Sequence, residues 1–197
     1  MARTAKLPPD PDDVRRRRLL EAALATFLRF GFRKTSMEEV ARAAGLSRQG
    51  LYLHFATKDD LFGAVVRHAL STGLEAAHDQ LRDATAALDA RLVGAFDAWI
   101  GRFVGALGGD VADLEEAIAQ YGPVIAEHDE TFADAVARTL RASPVAAAYK
   151  PAGLSARQLA ETLVATARGL KHSCATRPEF RERMTIAVRA MCLPAHR

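Results

Sequence analysis

Apolar residues along the chain recur at three- and four-residue steps, the period of an amphipathic helix, and no stretch shows the two-residue alternation of a half-buried strand. Leu20, Ala23, Leu24, Phe27 and Leu28 mark a first helix that starts at Asp12 or Asp13 and is capped by a left-handed Gly31. Ser36 with Glu39 three residues on is a capping box, which predicts a short helix over 37–44. Ser47 caps another over 48–54. Thr57 with Asp60 opens a long helix over 58–82, with Leu61, Val65, Ala69, Leu70, Ala77 and Leu81 on one face. Helices follow over 86–107, 112–121 and 123–141, the last with an irregularity near Glu127 to Glu130. Pro144, Pro151 and Gly153 make 142–154 a linker. Ser155 with Gln158 caps a helix over 156–174, and a last one runs from near Pro178 to about 192. The expected fold is all-α with about nine helices: a disordered Pro-rich arm at 1–11, a small helical domain at 12–57 and a larger one at 58–197.

Composition narrows the class. The 197 residues are 49% hydrophobic and 26% charged, as in a globular protein. No stretch approaches the ~18 consecutive apolar residues of a membrane span. Two cysteines exclude a disulfide framework, and the first nine residues lack the apolar run of a signal peptide. A reducing, cytoplasmic setting is therefore expected. Cys174 and Cys192 are expected to be small buried apolar residues, and no Cys or His cluster has metal-ligand spacing. Without a Gly-rich phosphate loop or a nucleophile elbow, neither an enzyme nor a bound cofactor is expected.

Charge is unevenly placed. Residues 14–58 hold ten basic residues against three acidic ones, while 61–197 hold 15 against 16. A basic amino-terminal quarter on a neutral remainder suggests a nucleic-acid-facing module.

Within that quarter, two short helices joined through Ala44-Gly45-Leu46-Ser47 fit a helix-turn-helix. The chain reverses at Gly45, where a left-handed residue without a Cβ avoids a clash. The second helix would lie in the major groove, with Arg48 and Gln49 able to read base edges. Thr35 and Ser36 stand at a helix amino terminus, where hydroxyls and backbone N–H groups suit a phosphate. Ser47 either does the same or simply caps its helix. Lys58 sits in a first turn, where the helix dipole disfavours a cation, and a nearby phosphate would explain it. Arg15 to Arg18 either reach the DNA backbone or form a solvated helix start.

The run from Gly31 to Phe62 resembles the DNA-binding domain of the TetR family of transcriptional repressors. The resemblance is carried by Thr35-Ser36, Val40-Ala41, Ala44-Gly45-Leu46-Ser47, Leu51-Tyr52 with Phe55, and Lys58-Asp59-Asp60-Leu61. It implies DNA-backbone contacts at Tyr52 and His54; packing on the long fourth helix is the alternative for both. This chain has Arg48-Gln49-Gly50 where the family often has Lys-Gly-Thr or Lys-Ala-Ser, so Gly50 replaces a phosphate-contacting hydroxyl. A shifted sequence preference is expected.

The resemblance further implies a carboxy-terminal domain that encloses a small, mostly apolar effector and pairs two copies on a palindromic double-stranded operator, from which the effector releases the repressor. Phe96, Trp99 and Phe103 share a helix face and are core, pocket lining or both; Tyr121 and Phe132 are further candidates. Arg168 and His172, one turn apart, meet an anionic ligand group or form a surface salt bridge. Leu159, Leu163, Ala167 and Leu170, with Phe180, Met184, Val188 and Met191 on the last helix, make two apolar faces read as a four-helix dimer interface. A constitutive or architectural DNA binder, and an enzyme with an appended DNA-binding module, are the competing classes.

Overall fold

A computed structural model of the protein describes residues 10–106 and 111–193. Among the described residues there are ten α-helices and no strand: α1 (Pro11–Phe30), α2 (Met37–Ala43), α3 (Arg48–His54), α4 (Lys58–Arg82), α5 (Leu88–Trp99), α6 (Val111–Ala119), α7 (Gly122–Arg141), α8 (Pro144–Tyr149), α9 (Ala156–Ser173) and α10 (Arg177–Cys192). They form two compact units, residues 10–69 with 111–118, and residues 70–106 with 119–193. The first unit thus takes the start of α4 and nearly all of α6, whereas the sequence suggested one cut between 57 and 58. None of the described helices is long and apolar enough to cross a membrane.

In the first unit α1 starts earlier than expected. Asp10 is its cap, accepting from the Asp12 N–H at 2.9 Å, and Pro11 takes the first helical position, where a missing N–H costs nothing. The expected arm otherwise falls on residues 1–9, outside the described residues. Leu20, Ala23, Phe27, Val40, Leu51, Leu61 and Phe62 are buried. Ring edges and faces join Phe62 to Phe27 at 5.0 Å and to Phe32 at 4.9 Å. Each such aromatic side chain withdrawn from water contributes roughly 1.5–3 kcal/mol.

The second unit is built on α5, α7, α9 and α10, with α9 packed on α7, and α10 on both α5 and α9. Leu92, Phe96, Phe132, Val136, Leu140, Leu163, Phe180, Met184 and Val188 belong to one buried cluster. Three expectations change here. The helix predicted over 86–107 stops at Trp99 and continues as a 3-10 turn, Gly101–Phe103. The reason is tertiary: a Cβ on Gly101 would stand 2.7 Å from both Asp97 Oδ1 and the Phe180 ring, so the chain approaches there as only glycine can. The supposed linker 142–154 contains α8 and a second 3-10 turn, because Pro144 opens a helix instead of ending one. No irregularity interrupts α7 near Glu127 to Glu130.

The largest correction concerns the apolar faces of α9 and α10. Leu159, Leu163, Ala167, Phe180, Met184 and Val188 are buried inside a single copy of the chain, and Leu170 and Met191 pack against the same core. Periodicity identified a buried face; within one copy it is covered by α7 and α5 and by the packing of α9 on α10, while Leu170 and Met191 stay partly exposed.

Candidate nucleic-acid interface

The turn between α2 and α3 closes by a Schellman pair: the Leu46 N–H donates to the Ala41 carbonyl at 2.8 Å and the Gly45 N–H to the Arg42 carbonyl at 3.2 Å. Gly45 has φ +68°, as the sequence required. At the head of α3, Ser47 Oγ accepts from the Gly50 N–H at 2.9 Å. Capping therefore uses its lone pair and leaves its O–H free to donate. A Cβ at residue 50 would lie 3.1 Å from that oxygen.

α3 buries Leu51 and turns Arg48, Gln49, Tyr52, Leu53 and His54 outward. Leu53 is 83% exposed and Tyr52 41% exposed, so Tyr52 is no core residue. The Arg48 guanidinium lies over the Tyr52 ring at 5.7 Å, a contact that fixes its direction but satisfies none of its hydrogen-bond donors. Arg16 lies over the ring of buried Phe55 at 5.4 Å, and Arg15 pairs with Asp12 at 3.5 Å. Arg17 and Arg18 are exposed with no acceptor among the described residues. The outward face of α3 thus presents one guanidinium, an amide, a phenol and an imidazole.

Other candidates are absorbed by the fold. Ser36 and Glu39 make the expected capping box; the Ser36 N–H, donating to Glu39 at 2.8 Å, holds that carboxyl below its usual range. The Ser36 hydroxyl donates to the same carboxylate at 2.9 Å. Thr35 is buried and donates to the Gly31 carbonyl at 2.6 Å. Lys58 Nζ reaches the carbonyls of Phe32, Arg33 and Thr35 at 2.9, 3.3 and 3.2 Å, and lies over the Phe32 ring at 4.4 Å. Three protons thus meet three acceptors, which accounts for a cation in a first turn without a phosphate.

Sequence reasoning missed a clamp on this same turn. The Arg33 N–H donates to Asp113 Oδ2 at 2.8 Å, and the Arg33 guanidinium reaches Glu116 at 2.6 Å. Both acids lie on α6, 80 and 83 residues away, so no local pattern announces them.

In the second unit, Phe96, Trp99 and Phe132 form an aromatic stack, with Phe132 centred 5.1 Å from Phe96 and 5.7 Å from Trp99. All three are core. Phe103 stands apart in the 3-10 turn, half-buried, under the guanidinium of Arg102 at 4.8 Å. Tyr121 is half-buried and His172 exposed. Arg168 forms a salt bridge with Asp129 at 2.8 Å, and Asp129 also accepts from the Trp99 indole at 3.0 Å. A cleft of about 520 Å³ runs between α7 and α9, and of the seven ligand candidates Arg168 alone lines it. Cys174 and Cys192 are buried free thiols, and burial pushes the Cys192 thiol up.

Comparison with known proteins points the same way. The sequence profile described as bacterial regulatory proteins, tetR family, matches residues 19–65. The HTH-type transcriptional regulator YfiR of Bacillus subtilis is 36% identical over 69 residues, covering 35% of this chain and 34% of YfiR. The regulator RutR of Escherichia coli K12 is 40% identical over 61 residues, covering 31% of this chain and 29% of RutR. The matched stretch thus spans about a third of these curated relatives. The fatty acid degradation regulator FadR of Bacillus halodurans superposes with a TM-score of 0.66 at 13% identity, over 93% of this chain and 96% of FadR. A TetR-like regulator from Rhodococcus sp. RHA1 gives 0.59 at 23% identity, over 95% of this chain and 99% of its own. At those identities the superpositions establish the fold. Residues 19–65 therefore match the profile of bacterial regulatory proteins, tetR family, and the chain as a whole has the fold of a solved TetR-like regulator.

Proposed function

We propose that the protein is a cytoplasmic, homodimeric transcriptional repressor that binds a palindromic operator and leaves it when a small effector binds the second unit. The observation that carries this reading is the outward face of α3, where Arg48 and Gln49 stand exposed on a capped, rigidly turned helix. A bidentate Arg reads guanine and a Gln reads adenine. Tyr52, His54 and the free O–H of Ser47 flank them toward the backbone. Lys58 and Thr35 serve by holding the turn that presents this helix.

A two-fold site needs two copies. With the inner faces of α9 and α10 occupied by the core, the contact falls to their outer faces, where Ile186 is 64% exposed and Gly169 has open space at its Cβ. The effector must bind the DNA-released arrangement more tightly than the bound one, since equal affinity shifts nothing. α4, one continuous helix with residues in both units, is the covalent link through which that preference would act.

The test is binding to DNA selected from a random pool, followed by substitution. Gln49→Ala or Arg48→Ala should cost ~1–3 kcal/mol at one base position and relax preference there. Equal loss on every sequence from both variants would favour an architectural DNA binder.

A further inference from the structure

Three arginines in the second unit are not exposed: Arg91, Arg102 and Arg157. Two have acceptors. Arg91 donates to the Leu81 carbonyl, and Arg157 meets Glu130, Asp134 and Glu161 at 2.5–2.7 Å. Arg102 has no carboxylate and no hydrogen-bond acceptor among the described residues; its contacts are to rings and to a glycine. Its guanidinium lies over Phe103, and its Nη1 would stand 3.0 Å from a Cβ on Gly73, a point that the six-membered ring of Trp99 approaches to 3.2 Å. Gly73 thus makes the floor of a small seat walled by two aromatic rings.

The surroundings increase the imbalance. Burial pushes the Arg102 guanidinium below the usual arginine range, and repulsion from Arg177 adds to the shift. The nearby buried carboxylate, Asp97, is already taken: Arg177 binds it at 2.8 and 2.9 Å and Arg181 at 2.8 Å. None of the Arg102 nitrogens is sealed from water, so its five N–H donors stand open to an incoming acceptor beside an uncompensated positive charge.

We infer that Arg102 is the docking point for an anionic group of the effector, a carboxylate whose apolar body lies along the exposed part of Phe103. This deepens the reading of the second unit as effector-binding and rests on it. A carboxylate placed in the plane of the guanidinium accepts two parallel N–H bonds while the rings exclude water from one side. Neither the cleft between α7 and α9 nor the aromatic stack offers this, since the arginines there are paired and the stack is closed.

Decanoate and its neutral counterpart decanol are suitable probes, with binding read by calorimetry and by the fluorescence of Trp99. The wild-type protein should bind decanoate about tenfold more tightly than decanol, the factor expected of one charge-assisted bond. Arg102→Gln should bring the two probes to equal affinity, Arg102→Lys should restore most of the preference, and the thermal midpoints of all three proteins should agree within a few degrees. A preference that survives in Arg102→Gln overturns the inference, as does absence of decanoate binding at about 1 mM. Operator binding separates this inference from the reading it rests on. Arg102-dependent decanoate binding that leaves DNA affinity unchanged upholds the anion seat and refutes the effector role. Equal binding of both probes with loss of DNA affinity does the reverse.

Discussion

The indole N–H of Trp99 donates to Asp129 Oδ1 at 3.0 Å, and the other oxygen of that carboxylate takes Arg168. One acid thus joins α5, α7 and α9 from beside the aromatic stack. Asp129→Ala should leave a largely buried donor unpaired at a cost of ~1–3 kcal/mol. In a protein of this size that lowers the thermal midpoint by roughly 2–4 °C for each kcal/mol. Asp129→Asn keeps an oxygen for the indole and should lose less. Equal midpoints for the wild type and the Ala variant would show that the bond contributes nothing net.

Lys58 separates a positioning role from a phosphate contact. Lys58→Met keeps the stem over Phe32 but abandons three carbonyls, and should weaken the first unit by roughly 1.5–3 kcal/mol, seen as faster amide exchange at residues 31–36. Operator affinity should fall because the turn loosens. The slope of log affinity against log salt should stay that of the wild type. A slope reduced by about one unit would instead place a phosphate on Lys58.

Substitutions on α9 and α10 should divide by face. Leu163→Ala removes packing inside one copy and should cost ~2–5 kcal/mol of stability. Ile186→Glu, on the outer face, should change the stability of the monomer by no more than ~0.5 kcal/mol while driving a dimer to monomer in sedimentation. If Ile186→Glu stays dimeric, the outer face of α10 is not the contact.

His78 gives the second unit a dependence on pH. Its Nε2 is buried without a partner among the described residues. Burial pushes its pKa below the usual 6.5; Arg82 and Arg138 add to this and Asp79 opposes it. The unfolded chain takes up a proton as pH falls through 6.5 while the folded chain resists, so this contribution is complete above 6.5 and shrinks as pH falls toward the depressed value. Urea midpoints at about pH 7.5 and about pH 5.5 should converge in His78→Leu relative to the wild type. An unchanged gap would assign the pH dependence to other groups.

What the sequence made legible was local. The capping boxes at Ser36, Thr57 and Ser155 and the glycine turn at Gly45 all stand where expected, because each is decided by residues within four positions of one another. The exposure of Arg48 and Gln49 follows from that local geometry. The misreadings share a different cause. Gly101 breaks α5 because Phe180 and Asp97 press on it. The apolar faces of α9 and α10 say that something covers them without saying what. Lys58 looks misplaced until the three carbonyls of the preceding loop fold over it. Arg102 is unremarkable in sequence, and only the commitment of Asp97 elsewhere makes it stand out.

The hold of Asp113 and Glu116 on Arg33 has an evolutionary consequence. A single recombination event after residue 69 would deliver a new α3 but leave behind the acids that steady its supporting turn. First units of this construction are therefore not interchangeable as one uninterrupted cassette. A chimera that keeps its footing needs a second graft over 111–118, chosen to match the incoming residue at position 33.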